Sequence, residues 1–230
     1  MNYPIILHPA NRPIHQFSIS MDDKNKRKGA SEMVVFSRIL KLGLECIRED
    51  MSVLIDGHRY EPDFAYVNEE KGIFIDIEID EPYSSVQHPT HYITKQGVHK
   101  DAKRNEAFCN AGWYVMRFTE QQMFCNTASC MKIIFEILYS LGVTESMSYS
   151  LLNASTIEAM PAWTYDKAKE YSVNKFRKSY LGYNPINMDF SSYLRCCLLV
   201  IPILFQSMKN NRLRQVLCKQ LNSFFLKSHK

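Results

Sequence analysis

The sequence predicts an α/β protein of the α+β kind. A mixed central β-sheet flanked by helices occupies residues 1–142, and a helical C-terminal extension follows over residues 143–230. Three observations carry this. Residues 73–80 read Ile-Phe-Ile-Asp-Ile-Glu-Ile-Asp, the period-two alternation of a strand. A turn over residues 68–72 joins them to a second apolar run, so the two strands form a hairpin. Helical periodicity brackets the hairpin, with Val35, Phe36, Ile39, Leu40 and Leu42 before it and Met131, Ile134, Phe135, Leu138 and Leu141 after it.

The elements follow in order. Residues 1–20 are apolar and punctuated by Pro4, Pro9 and Pro13, which predicts an extended arm on the domain. Residues 21–29 form a charged loop, and Ser31 caps a helix that ends near Gly43. Residues 51–55 are a strand closed by Asp56-Gly57, and residues 60–67 are a second strand. With residues 72–80 these make a three-stranded meander. Glu81-Pro82 ends the third strand, and about twenty polar residues follow; loops of this length in a compact domain are functional or disordered. Residues 101–110 are helical and stopped by Gly112, residues 113–118 are a strand, and residues 127–141 are a helix. After Gly142 the composition turns Ser-, Met- and Thr-rich. Residues 164–181 read as an amphipathic helix with Lys167, Lys169, Lys175, Arg177 and Lys178 on its polar side. Asn184-Pro185 breaks the chain, and residues 210–225 form a last helix.

Of the 230 residues 46% are apolar and 23% charged, as in ordinary folded proteins, and the net charge of +4 permits a polyanionic partner without requiring one. Seven cysteines with no CxxC pair fit a reduced, cytoplasmic compartment better than a disulfide framework. The N-terminus lacks the basic-then-apolar pattern of a signal peptide. The longest apolar run, residues 196–205, is about half of what a spanning helix needs and contains Pro202. No membrane span is expected, but this run offers a surface to a protein partner or to a membrane face.

The acidic strand carries the chemistry. Alternation puts Ile75, Ile77 and Ile79 on one face and Asp76, Glu78 and Asp80 on the other, about 7 Å apart. Like charges at that spacing need water, protons or a cation between them. One outcome is simply a sheet with a wet face. The other uses Asp63, fifteen residues before Glu78, which a hairpin places beside it. Two converging carboxylates suit Mg²⁺ or Mn²⁺, and such a metal activates water and neutralises charge on a phosphate. Glu32, in the first turn of the preceding helix, is a candidate third carboxylate. It is equally an acid favoured by the helix dipole.

The ordered set Pro62-Asp63, Glu78-Ile79-Asp80, His88 or His91, Asp101-Ala102-Lys103-Arg104 and Gly112-Trp113-Tyr114-Val115-Met116-Arg117-Phe118 resembles the PD-(D/E)xK, restriction-endonuclease-like nuclease superfamily, in particular its very-short-patch-repair-like branch. The resemblance covers roughly residues 30–140. It implies a restriction-endonuclease-like sheet and a metal-dependent endonuclease that hydrolyses DNA phosphodiester bonds, in a defence, repair or mobile-element setting. Carried over position by position, Asp63 and Glu78 become metal-binding acids, with the main-chain carbonyl of Ile79 as a further ligand. Asp80 stands where the superfamily has a lysine. The missing cation then falls to Lys95, Lys100, Lys103 or Arg104, with Lys103 and Arg104 favoured because their helix follows the acidic strand. Lys95, Lys100 and Arg117 are the expected nucleic-acid contacts.

Each assignment has a structural competitor. Asp101 and Arg104 form a surface pair, Arg117 serves an acid at the core edge, and Trp113 is core. His88, His91 and His99 lack the helical spacing of a zinc site and no cysteine pair completes a tetrahedral set. A structural Ca²⁺ site fits poorly, because the acids lie on strands. The basic helix 164–181, with Tyr165, Tyr171, Phe176, Tyr180 and Tyr183 interleaved, either tracks a phosphate backbone or packs on the body. The main alternative to an enzyme, acting alone, as a dimer or under a partner's control, is a non-catalytic nuclease-like subunit of a larger nucleic-acid-processing assembly.

Overall fold

A computed structural model describes residues 1–21, 30–143 and 147–182. The basic run 24–28, Asn184-Pro185, the apolar run 196–205 and the helix expected over 210–225 lie outside the described residues.

In chain order the elements are β1 (Asn2–Tyr3), β2 (Ile5–Leu7), β3 (Phe17–Met21), α1 (Ala30–Lys41), β4 (Ile47–Arg48), β5 (Met51–Ile55), β6 (His58–Tyr60), β7 (Phe64–Asn68) and β8 (Ile73–Asp80). They continue as α2 (Ala102–Asn110), β9 (Tyr114–Thr119), α3 (Glu120–Cys125), α4 (Thr127–Ser140), α5 (Tyr149–Leu152), β10 (Met160–Pro161), α6 (Tyr165–Val173) and α7 (Arg177–Leu181). The fold is α+β, built on a five-stranded mixed sheet of order β2-β9-β8-β7-β4. β8 runs parallel to β9, and the other neighbours are antiparallel.

The expected hairpin forms as β7 and β8. The expected meander does not, because β5 leaves the central sheet for a second one of order β3-β5-β6. Asp56 (φ 46°) and Gly57 (φ 77°) are both left-handed, the requirement of a tight hairpin turn, and they fold β6 back on β5. β4 takes the place beside β7. The N-terminal arm is strand too: β2 extends the central sheet at β9, and β3 pairs β5.

One face of the central sheet carries Ile75, Ile77 and Ile79, all buried, and Phe36 of α1 stacks on Phe64 at 5.9 Å. On the other face Ala65 and Val115 flank Asp76, and both join an apolar cluster with Met51, Val53, Ile55, Phe108, Ala111 and Trp113. Trp113 is core as expected, edge-on to Phe17 and Phe108 at 5.5 and 5.4 Å. So the second sheet and α2 cover the face that carries the acids. Asp76, Glu78 and Asp80 are 0%, 7% and 0% exposed, which corrects the expectation of a wet face.

Residues 147–182 belong to the same compact unit, Met1–Met188. β10 pairs β1, and Trp163 stacks on Tyr3 at 5.3 Å. Arg177 makes a two-pronged pair with Glu120 at 2.7 and 2.6 Å, and Tyr180 donates to the same carboxylate. The compositional change after residue 142 therefore marks no structural division. The helix read over 164–181 is two helices, broken where Lys175 adopts φ 53°, and Arg177 faces the core rather than solvent. Among the described residues no helix is long and apolar enough to cross a membrane.

Candidate active site

The register of the hairpin pairs Phe64 with Ile77, so the next step outward sets Asp63 opposite Glu78. Asp63 N–H donates to Glu78 Oε1 at 3.3 Å, and Ile79 N–H donates to Asp63 Oδ2 at 2.7 Å. The hairpin therefore sets the two acids side by side as expected, each bonded through its carboxylate to the facing strand's main chain.

Two arginines meet the acids. Arg104, from the first turn of α2, forms a fork on Asp76 at 2.6 and 3.1 Å and reaches Glu78 Oε1 at 2.6 Å. Its guanidinium lies over the Phe108 ring at 4.6 Å. The surface pair considered for Asp101 and Arg104 does not form, because both turn toward the sheet. Arg117, paired across β8/β9 with Glu78, is fully buried. It donates to Asp80 at 2.9 and 2.6 Å and to Asn105 at 3.0 Å, and lies 3.8 Å from Glu78 Oε2. A side chain so enclosed is unavailable to nucleic acid, which corrects that expectation in favour of the core-edge partner. Asp76, also fully buried, anchors Arg104.

His91, rather than the exposed His88, enters this network. Its Nδ1 is 2.7 Å from Asp101 and 3.3 Å from Asp80. His99 Nδ1 accepts from Asp101 N–H at 3.2 Å, so in the neutral ring Nε2 carries the proton. Nε2 lies 3.1 Å from the Tyr3 hydroxyl, which itself donates to Asp80 at 2.7 Å. A relay of hydrogen bonds thus runs from α2 through His99 and Tyr3 to Asp80.

These contacts set the protonation states. Burial alone lowers the His91 pKa, but Asp80, Asp101 and Glu81 outweigh it and raise it to about 9, so the ring is a cation at neutral pH. Burial works against ionising Asp101 and Asp80, yet His91 and Arg117 hold both carboxyls below the usual range. At Asp76 burial dominates and pushes the carboxyl up, against the pull of Arg104. His99 is lowered, first by burial. The described residues bring together the carboxyls of Asp63, Asp76, Glu78, Asp80 and Asp101 with the cations of Arg104, Arg117 and His91. Acids outnumber bases there, an environment that favours a further cation.

Asp63 and Glu78 offer oxygen ligands of the kind Mg²⁺ or Mn²⁺ takes. Among the described residues, however, no three His, Cys, Asp or Glu side chains are arranged to hold a metal, so Glu32 does not complete a triad. Lys95, Lys100 and Lys103 are exposed; Lys100 sits over the Tyr92 ring at 5.6 Å. Sequence reasoning missed Tyr3 and Asn105 altogether. Asp76 carried a signal, an acid at the start of the buried alternation, but its partner lies 28 residues away. No protein-family model, curated protein or solved structure matches this chain.

Proposed function

We propose that the chain is a metal-dependent endonuclease of restriction-endonuclease-like fold that hydrolyses phosphodiester bonds in DNA. The observation that carries this reading is the hairpin that sets Asp63 opposite Glu78, with the Ile79 main chain bonded to Asp63. The ordered motifs support it by where they fall. Pro62-Asp63 enters β7, Glu78-Ile79-Asp80 ends β8, His91 lies in the connecting loop, Asp101 and Arg104 open α2, and Gly112 leads into β9.

Asp63, Glu78 and the Ile79 carbonyl are the groups that would hold Mg²⁺ or Mn²⁺. When bound, the metal supplies a water nucleophile and charge neutralisation at the phosphate. Arg104 stays a cation, because Asp76 and Glu78 raise its pKa against burial, and it presents positive charge beside Glu78. It fills the part that Asp80 leaves open in place of a lysine. Asp80 instead fixes Arg117.

The test is a nicking assay with Mg²⁺ or Mn²⁺ on single-stranded, duplex and mismatched DNA, comparing the parent with Asp63→Ala and Glu78→Ala. Cleavage is expected to vanish in both. Undiminished cutting by the two variants refutes the assignment.

One observation favours a second reading, a non-catalytic nuclease-like subunit: Arg104 already sits on Glu78 at 2.6 Å, where a metal would compete with it. That reading expects no Mn²⁺ heat in calorimetry that Asp63→Ala abolishes, and no cleavage with any substrate.

A further inference from the structure

Two segments about 70 residues apart form one exposed ridge next to the acid site. Ile93 bridges Thr164 in parallel, and Ile93 N–H donates to the Trp163 carbonyl at 2.8 Å. Trp163 returns a bond from its indole to the Thr90 carbonyl at 2.9 Å. The loop 92–100 is thereby fastened to the start of α6. On top of the seam Tyr92 meets Tyr165 edge-on at 5.1 Å, and the Lys100 ammonium lies over Tyr92. Tyr165 keeps 46% of its surface exposed.

Charge on the ridge is one-sided. Lys95, Lys100, Lys103, Lys167, Lys169 and Lys175 lie within residues 92–103 and 164–175, against three acids. Two of those acids are engaged, Asp101 with His91 and Glu170 with Lys167 at 2.7 Å. Lys169 is one helical turn from Tyr165, so ring and ammonium share a face. The ridge also adjoins the site, since Tyr92 follows His91, which contacts Asp80.

We infer that this ridge is a track for an unpaired nucleic-acid strand, with a base stacked on Tyr165, which the half-buried Tyr92 braces, and phosphates on Lys95, Lys100 and Lys169. Exposed rings take bases only when these are free of a partner strand, and lysines beside them take backbone of any sequence. The inference rests on the nucleic-acid reading above and narrows its substrate to single strands or unpaired ends.

Fluorescence anisotropy in EDTA tests it without any cutting. The probes are a short fluorescein-labelled oligothymidylate, the matching oligouridylate and a hairpin duplex of equal length. The parent binds a single-stranded probe more tightly than the duplex. Tyr165→Ala weakens that binding by about fivefold to a hundredfold, and Tyr165→Phe, which keeps the ring, does not. Lys95→Ala with Lys100→Ala flattens the slope of log affinity against log salt by about 1.4. Thermal melts by circular dichroism check that each variant is folded. Absence of oligonucleotide binding, equal affinity for the duplex, or Tyr165→Ala binding like the parent overturns the track. Cleavage lost in Asp63→Ala while Tyr165→Ala binds normally would keep the nuclease and discard the track, and the converse would keep the track alone.

Discussion

Arg117→Met measures how the acid face of β8 is held. Arg117 and Asp80 are both fully buried and share two hydrogen bonds, at 2.9 and 2.6 Å. Removing the guanidinium leaves the Asp80 carboxylate to Tyr3, His91 and His99, and breaking a buried pair from one side costs about 3–5 kcal/mol. With a urea slope of about 2.5 kcal/mol/M, the unfolding midpoint falls by about 1.5 M. Asp80→Leu alone takes the two-pronged partner from Arg117, leaving it Asn105, Asp101 and Glu78, and is also destabilising. The double variant, with two apolar side chains of similar size, is more stable than the sum of the singles by at least about 2 kcal/mol, because neither charge is then left unpaired. Urea titrations followed by far-ultraviolet circular dichroism give the full cycle. A loss below about 1 kcal/mol for Arg117→Met, or additive singles, would show that the pair is not a buried unit and return Arg117 to the list of available cations.

Other outcomes follow from the same geometry. The His91 ring titrates near 9 by proton NMR, and Asp101→Asn brings it down toward 6.5; a midpoint at or below 6.5 in the parent contradicts the network. Because the folded value is the raised one, this contribution of about 3 kcal/mol is complete below pH 6.5 and fades as pH rises through 9. Asp80 and Asp101, held low, act oppositely: their contribution stands above their ordinary value of 3.8 and is lost in acid, so urea midpoints peak between the two limbs. Arg177→Met leaves the buried Glu120 without its cation, with Tyr180 still bonded to it, and lowers stability by about 3–5 kcal/mol in thermal or urea unfolding; a change under about 1 kcal/mol means that α7 docks by its apolar contacts. Gly112→Ala costs more than Gly97→Ala, although both are left-handed, because a Cβ at 112 would stand 3.2 Å from Pro13 while the space around 97 is open; equal midpoints would refute the close approach.

What the sequence made legible was local. Hairpin register follows from turn length and alternation, so the meeting of Asp63 and Glu78 can be read from fifteen residues of chain. Capping is local too, and Thr119 with Gln122 carries a capping box from which α3 was readable, although the apolar period alone passed over it. Whether an acid face is wet or buried is not local. The cations that permit burial, Arg104 and Arg117, stand 26 and 37 residues from Glu78 and Asp80. Alternation with period two reports only that two faces differ, never what covers each one. The central strand therefore divides in a way its repeat hides. Glu78 faces Asp63 and Arg104 and keeps 7% of its surface exposed. Asp80, two residues on, faces Arg117, Tyr3 and His91 in the interior. Replacing Asp80 by Lys would thus set a cation against Arg117 in the core, and Arg104, from α2, is the cation that stands beside Glu78.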